Sequence, residues 1–330
     1  MFSRPSDKNL IYSTIITACF IFAAAGIYIA RNLSYSKDVI LQKAGKYYAD
    51  ERYFMAARYF SKAIDLNASS AELYRNYGIS LLRLGDYDLA VKYFKLATSL
   101  DSRNSDSYYY IGDALYRGAS SSENKEKLLQ AARYLKKAIE LDPYSEKSYT
   151  LIGLCFRSYG LQENARTFYK KALLSKNFSK AGFYNLIGNT FREEGRYKEA
   201  LSYYKKAKDN DRLFVAAYCS IGDMYLKLNN CKEALLNYRK AIEVDGDFII
   251  PYISLANFYY NDKNNFYEAA KCCLKALKIN PDSAKANYIL GMSYKALGRK
   301  KECVEYLKKA AFCGSDDAVV ELINIGIDLR

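Results

Sequence analysis

The chain has 330 residues, of which half are hydrophobic and about a quarter are charged, so it can bury the core of one or two domains. It contains no histidine, which excludes a Ser-His-Asp triad, a Cys-His pair and every zinc site that needs histidine. Its formal net charge of +14 favours acidic partners, although solvated basic faces explain the same value.

The first predicted element is an apolar segment at residues 10–30. It contains no charged residue over roughly the 20 positions that a membrane-spanning helix needs. Lys8 and Arg31 flank it, and Tyr12 and Tyr28 lie near its ends, where aromatic rings favour the membrane interface. We therefore predict a single-pass membrane protein held by an uncleaved signal-anchor helix.

Two other fates of this segment stay open. The run of alanines that ends at Ala25 offers a signal-peptidase site, so the segment is alternatively a cleaved signal peptide. The residues from Ile16 to Cys19 are similar to a lipobox, in which Cys19 carries the lipid. The apolar run after Cys19 weighs against lipidation, because a mature lipoprotein usually continues with a polar tether. Positive charges flank both sides, so the side that holds the rest of the chain is left open.

From about residue 37 the chain repeats a ladder of small and large apolar residues at a period of about 34 residues. In each copy a small residue precedes a large one, and a second small residue follows on the next helical stretch. Small residues at these positions would let two packed helices approach closely. The ladder is seen in four copies at Gly78, Leu81, Ala90, Phe94 and Ala97, at Gly153, Phe156, Ala165, Tyr169 and Ala172, at Gly188, Phe191, Ala200, Tyr204 and Ala207, and at Gly222, Tyr225, Ala234, Tyr238 and Ala241.

This ladder resembles the tetratricopeptide repeat (TPR) family over almost all of the chain after the apolar segment. The resemblance implies an all-α solenoid, a right-handed superhelix of helix-turn-helix repeats, here preceded by one N-terminal transmembrane helix. Each repeat is then expected to hold two antiparallel helices, A and B. The third repeat carries extra polar residues between its two helices, from Gly118 to Asn124. The expected division is a tail at 1–9, the transmembrane helix at 10–30, about eight repeats within 37–317 (37–70, 71–104, 105–145, 146–180, 181–214, 215–248, 249–283 and 284–317) and a capping helix at 318–330.

The resemblance also implies where a partner binds, because the A helices of the TPR family usually line a peptide-binding groove. Asn189 and Asn257 follow the small residue of helix A, where an amide can both donate to and accept from a peptide backbone. Asp113 and Asp223 occupy the same position in other copies, and solvated helix surface is the alternative interpretation of all four. The predicted groove residues are Arg75, Tyr109, Asp113, Asn185, Asn189, Asp223, Asn257, Tyr260, Lys285 and Tyr288.

A basic residue also recurs near the end of most A helices. Such a stripe would contact an acidic partner, or it would simply complement the negative end of the helix dipole. The residues are Arg83, Arg117, Arg157, Arg192, Lys227 and Lys295.

We predict a non-catalytic, membrane-tethered scaffold that binds a protein or peptide, and the alternative is a cleaved or lipidated assembly factor of the cell envelope or periplasm. We expect no cofactor, metal or small-molecule substrate, since no P-loop, dinucleotide fingerprint or metal-ligand spacing occurs. The 8 cysteines are predicted to be small apolar core residues. Net charge alone supports no specific nucleic-acid binding. Self-association is open, because TPR arrays can associate with themselves.

Overall fold

The computed structural model describes residues 36–119, 125–261 and 264–327, which form seventeen helices and no strand. Helix α1 covers residues 36–49. The others are α2 (Tyr53–Asp65), α3 (Ala71–Leu84), α4 (Tyr87–Leu100), α5 (Ser105–Gly118), α6 (Lys125–Leu141), α7 (Glu146–Tyr159), α8 (Gln162–Ala172), α9 (Lys180–Glu193), α10 (Tyr197–Asn210), α11 (Val215–Lys227), α12 (Cys231–Val244), α13 (Ile249–Asn261), α14 (Phe266–Ile279), α15 (Ala284–Ala296), α16 (Lys300–Phe312) and α17 (Asp316–Asn324). The predicted all-α arrangement of paired helices is confirmed.

Capping side chains fix where several A helices begin. The Ser70 hydroxyl accepts a hydrogen bond from the backbone N–H of Leu73 at 3.0 Å, at the start of α3. The Asn104 side chain accepts one from the N–H of Ser107 at 2.9 Å, at the start of α5. Each bond satisfies an N–H group that the helix itself leaves unpaired. The odd-numbered helices from α3 to α15 begin within one residue of a predicted repeat start.

The turn between helices A and B uses a residue in the left-handed region. Gly85 has a φ of +85° and lies between the end of α3 at Leu84 and the start of α4 at Tyr87. A residue with a Cβ atom is strained in this conformation, so glycine ends the helix sharply. The segment from Leu84 to Tyr87 is therefore the A–B turn that the sequence predicts.

The small residues of the ladder lie where helix A meets helix B of the same repeat. A Cβ atom added to Gly78 would lie 2.6 Å from the Phe94 ring, and one added to Gly222 would lie 2.6 Å from the Tyr238 ring. Both distances are shorter than real Cβ contacts, so a larger side chain would push the helices apart. The close approach that the ladder predicts is confirmed at both repeats.

The chain divides into two compact units, and the first ends at Gly160. Within it, successive helices from α2 to α7 pack against one another, and α5 also contacts the A helices on either side of it, α3 and α7. The core is made of large side chains that are at most 4% exposed, namely Phe60, Phe94, Ile111, Leu135 and Ile152. Each helix pair thus covers the apolar face of the next one.

The second unit begins at Leu161 and contains α8 to α17. Its core is built around side chains that are at most 1% exposed, namely Tyr169, Phe183, Tyr204, Tyr238 and Phe258. Along this unit each A helix contacts the next, from α9 through α11 and α13 to α15. Their side chains therefore share one surface, which we call the A-helix face of the second unit.

The last described helix, α17, packs against α16 and buries Ala318 and Leu322 completely. It differs in its bounds from the capping helix predicted at 318–330. It begins at Asp316, because the Ser315 hydroxyl accepts a hydrogen bond from the N–H of Ala318 at 3.2 Å. It ends at Asn324, two residues before Gly326, whose φ is +78°.

The predicted transmembrane helix at residues 10–30, the cleavage site at Ala25 and the lipidation site at Cys19 lie outside the described residues. None of the helices within residues 36–119, 125–261 and 264–327 combines the length and apolar character that crossing a bilayer requires.

Candidate protein-binding site

All ten residues predicted to line a groove lie on A helices. Asp113 is buried, Lys285 is exposed and the other eight are half-buried. Their helices are α3 for Arg75, α5 for Tyr109 and Asp113, α9 for Asn185 and Asn189, α11 for Asp223, α13 for Asn257 and Tyr260, and α15 for Lys285 and Tyr288.

Asp223, Asn257 and Lys285 lie around a single cavity of about 560 Å³ on the A-helix face of the second unit. Arg192 at the end of α9 and Lys227 at the end of α11 also line it. We call this cavity the second-unit pocket. It brings together three cations, one carboxylate and the side-chain amide of Asn257 from four successive A helices. The other lining residues are Tyr197, Met224, Leu226, Phe258 and Asn261.

Asp223 is held at the edge of this pocket by a buried tyrosine. The Tyr238 hydroxyl, on helix B of the same repeat, donates a hydrogen bond to Asp223 Oδ1 at 2.5 Å. Tyr238 itself is fully buried, and burial raises the pKa of its hydroxyl, so the hydroxyl stays a donor. One carboxylate oxygen of Asp223 is therefore engaged inside the protein.

Two opposing effects act on the Asp223 carboxylate. Burial raises its pKa above the ordinary value of 3.8, because desolvation disfavours the charged form. The Tyr238 hydrogen bond and the positive charges of Arg192, Lys285 and Lys227 lower it, but burial is the larger cause and the net shift is upward. The pocket is therefore electropositive whether or not Asp223 is ionised.

Asn257 differs from the equivalent residues of the two preceding repeats. The Tyr204 hydroxyl donates to Asn189 Oδ1 at 2.8 Å, just as Tyr238 does to Asp223. Asn257 has no hydrogen-bond partner among the described residues, since the equivalent position of its helix B holds Cys273. Its amide thus has both a donor and an acceptor for a ligand.

The other residues of the predicted set lie apart from this pocket. Asn185 accepts a hydrogen bond from the Ser220 hydroxyl at 3.4 Å. Tyr260 and Tyr288 lie near the end of the array, where Lys295 pairs with Glu321 of α17. Tyr260 and Tyr288 therefore adjoin the capping helix.

The first unit holds a separate aromatic and basic cluster. Burial raises the pKa of Tyr109 to about 12, and Lys147 Nζ lies 4.6 Å from the centre of its ring. Arg117 Nε donates to Asp113 at 2.8 Å, so this aspartate is already paired. Arg75 lies near Tyr48 and lowers its pKa against the larger effect of burial. Paired charges leave this cluster less able than the second-unit pocket to receive an anion.

The recurring basic residues lie in the last turn of their A helices, at Arg83, Arg117, Arg157, Arg192, Lys227 and Lys295. Arg117 and Lys295 pair with carboxylates of the chain, whereas Arg192 and Lys227 line the second-unit pocket. The predicted groove set omitted Arg192 and Lys227. Arg192 follows Asn189 by three residues and Lys227 follows Asp223 by four. Residues at these spacings lie on one face of a helix, so the sequence holds a signal that could have found both cations.

The surroundings of the described cysteines do not favour a reactive thiolate. Five of the seven are buried, and Cys231 and Cys313 are half-buried, so the predicted burial is incomplete for those two. Burial raises the pKa of Cys155 and Cys219 to about 12, which keeps these thiols protonated and weakly nucleophilic. Within the described residues no group of acids and cysteines has the spacing to hold a metal ion.

Comparison with protein families finds tetratricopeptide repeats along the chain. Family models with that description match residues 44–107 and 79–146, residues 181–212, 215–248 and 251–283, and residues 272–305. Together these matches cover about two thirds of the chain. They include every A helix that lines the second-unit pocket.

Individual relatives are distant. Tetratricopeptide repeat protein 8 of Caenorhabditis elegans is 28% identical over 134 residues, which are 40% of this chain and a quarter of that protein's length. The C-terminal part of a TPR repeat-containing protein from Cytophaga hutchinsonii has a TM-score of 0.54 and 19% identity, with 76% of this chain and 98% of that chain covered. The MamA protein has a TM-score of 0.44 and 24% identity over 54% of this chain and 92% of that chain, which is too distant to support an argument. The Cytophaga structure shows the same fold, and the repeat matches show that the chain belongs to the tetratricopeptide repeat family.

Proposed function

We propose that the chain is a non-catalytic, membrane-tethered scaffold whose second-unit pocket binds an acidic segment of a partner protein. The observation that carries the proposal is the charge of the pocket. Arg192, Lys227 and Lys285 surround one carboxylate, that of Asp223, which burial disposes toward its neutral form. Three cations around one such acid form a site for anionic side chains or a chain terminus.

Asn257 gives this pocket a way to bind a peptide backbone. Its amide has no partner among the described residues and lies between Asp223 and Lys285 along the line of A helices. A side-chain amide can hydrogen-bond any peptide bond whatever the sequence. The cations would therefore select acidic segments, and Asn257 would hold their main chain.

A charge reversal tests this function. Arg192→Glu combined with Lys285→Glu turns attraction for an acidic segment into repulsion, so affinity should fall roughly tenfold or more. The matched control is Lys240→Glu, an exposed lysine on α12 that does not line the pocket. The three full-length proteins are crosslinked in cells and their partners are quantified by mass spectrometry. Partners that are lost from the pocket variant and kept by the control support the proposal; identical partners in all three contradict it.

The tether rests on the uncharged segment at residues 10–30, and it has its own test. An uncleaved signal anchor predicts that the full-length chain stays in the membrane pellet after carbonate extraction, with an intact mass that includes residue 1. A mature chain that begins after Ala25, or one that carries lipid on Cys19, would instead support the cleaved or lipidated envelope factor. A full-length chain in the soluble fraction would contradict a tether of any of these kinds.

A further inference from the structure

A second concave surface lies on the opposite type of helix, between the B helices α14 and α16. It is an open groove of about 1070 Å³ whose exposed walls include Tyr267, Leu274 and Phe312. Phe312 is 93% exposed and Tyr267 is 69% exposed, which is unusual for aromatic side chains of this size. Asn287 and Tyr294 of α15 also line the groove. We call this surface the B-helix groove.

The B-helix groove is strongly basic. Asp282 is the only acidic residue among the described residues that line it. Lys278 and Lys308, one from each wall, have no carboxylate within 4.0 Å among the described residues. The six cations of the groove are Lys271, Lys275, Lys278, Arg299, Lys308 and Lys309, of which Lys271, Arg299 and Lys309 pair with glutamates outside the lining. An occupant that fits this groove is apolar along one stripe and acidic beside it.

Helix α17 of the same chain presents that chemistry on its outer face. Val320 is 58% exposed and Ile323 is 63% exposed, although both are apolar. Asp316 and Asp317 are exposed in its first turn and form no ion pair among the described residues. The inner face is already used, because Leu322 is buried against the second unit. Within the described residues the outer face is thus exposed, acidic and apolar.

We propose that two copies of the chain form a dimer in which α17 of each copy lies in the B-helix groove of the other. Val320 and Ile323 would contact Tyr267, Leu274 and Phe312, and the two aspartates would meet Lys278 and Lys308. The B-helix groove and α17 both lie at the C-terminal end of the second unit. Helix α16 lines the groove and also packs against α17. A mutual exchange of this kind about a twofold axis would give a closed dimer, the commonest form of homo-oligomer.

The net charge of +14 opposes association of two copies, so ionic strength matters. At about 0.15 M salt the screening length is about 8 Å, which weakens repulsion between distant faces more than attraction at contact. The dimer should therefore be measured near this salt concentration.

Charge reversal on either side of the contact gives a test with an internal control. One variant carries Lys278→Glu and Lys308→Glu in the groove, and the other carries Asp316→Lys and Asp317→Lys on α17. The full chain is purified in a mild detergent and its mass is measured by sedimentation over a range of concentrations. Wild type should form dimers, and each variant alone should associate roughly tenfold or more weakly, because like charges then meet.

A mixture of the two variants tests whether the groove of one copy pairs with α17 of the other. In the mixture the acidic groove meets the basic helix, and the native groove of the second variant meets the native helix of the first, so dimers should return. Wild type that is monomeric at every concentration would overturn the proposal, as would dimers that neither variant weakens. A mixture that stays monomeric while each variant keeps the wild-type melting midpoint would overturn it too. The second-unit pocket is a separate surface, so these outcomes leave the proposed function untouched.

Discussion

At the scale of single residues, one position of helix A has different hydrogen-bond partners in different repeats. The residue after the small one on helix A is engaged by a tyrosine in two repeats, at Asn189 and Asp223. In the next repeat the tyrosine position holds Cys273, and Asn257 has no partner among the described residues. The tyrosines stabilise the A–B contact, and their absence beside Asn257 leaves an amide for a ligand.

The upward pKa shift of Asp223 predicts a pH-dependent stability. The folded chain holds the proton of Asp223 more tightly than the unfolded chain, so this residue stabilises the fold below the ordinary pKa of 3.8 and that contribution is lost as pH rises through the higher folded pKa. Asp223→Asn keeps an oxygen for Tyr238 but has no charge to bury. The urea midpoint of wild type relative to Asp223→Asn should therefore fall as pH rises from about 4 toward neutrality.

The measurement is urea unfolding of both proteins followed by circular dichroism at a series of pH values. Other titrating groups are common to the two proteins and cancel in the difference. A difference in midpoint that does not change with pH, or one that changes in favour of wild type, would mean that the surrounding cations outweigh burial.

At this scale the sequence predicts which helix face Asn189 and Asp223 lie on, but it does not predict their hydrogen bonds to tyrosines of helix B. The repeat period places Asn189 and Asp223 on the A-helix face, because residues of a helix are ordered by its period. It does not show that a hydroxyl from helix B reaches them, since that depends on how closely the helices pack around Gly188 and Gly222. The pocket cations Arg192 and Lys227 were assigned to the basic stripe, although they belong to the same site as Asn257.

At the scale of helices, the contact between A and B is set by glycine. A Cβ atom at Gly188 would lie 2.5 Å from the Tyr204 ring, whose side chain is fully buried and cannot move aside freely. Gly182, on the same helix, has no such neighbour within 4 Å. The two glycines thus separate the effect of packing from that of helix propensity.

Gly188→Ala should destabilise the repeat by about 1–3 kcal/mol, because overpacking outweighs the gain in helix propensity. Gly182→Ala should be neutral or stabilise by up to about 1 kcal/mol, since alanine is the better helix former and meets open space. Denaturant midpoints of the two full-length variants check both values. A Gly188→Ala protein as stable as Gly182→Ala would mean that the A–B spacing is looser than the ladder requires.

The starts of most A helices can be predicted from the sequence, whereas the C-terminal end of the array is harder to predict. Ser70 and Asn104 are capping residues that mark repeat starts in the sequence itself. Helix α17 begins at Asp316, where the Ser315 side chain caps it. The ion pair between Glu321 of this helix and Lys295 has no signature in the repeat. The B-helix groove was not predicted at all, because it arises from the spacing of α14 and α16.

At the scale of the whole molecule, the recurring basic residues differ in whether a carboxylate of the chain pairs with them. In the sequence alone, solvated basic side chains are enough to explain the net charge of +14. In the first unit and at the capping helix, Arg117 and Lys295 are paired with carboxylates of the chain. In the second-unit pocket, Arg192, Lys227 and Lys285 lie around one half-buried acid, Asp223. This uneven pairing is the basis for assigning partner binding to the second unit.

The most direct test of that assignment is site-specific photocrosslinking in cells. A photoreactive residue replaces Asn257 in the second-unit pocket or, as the matched control, Leu236, which is 46% exposed on α12 and does not line the pocket. We predict a discrete adduct from position 257, formed with an acidic segment of another protein and lost when Arg192→Glu and Lys285→Glu are added. Adducts of equal yield from position 236, or an adduct from 257 that survives the charge reversal, would contradict it.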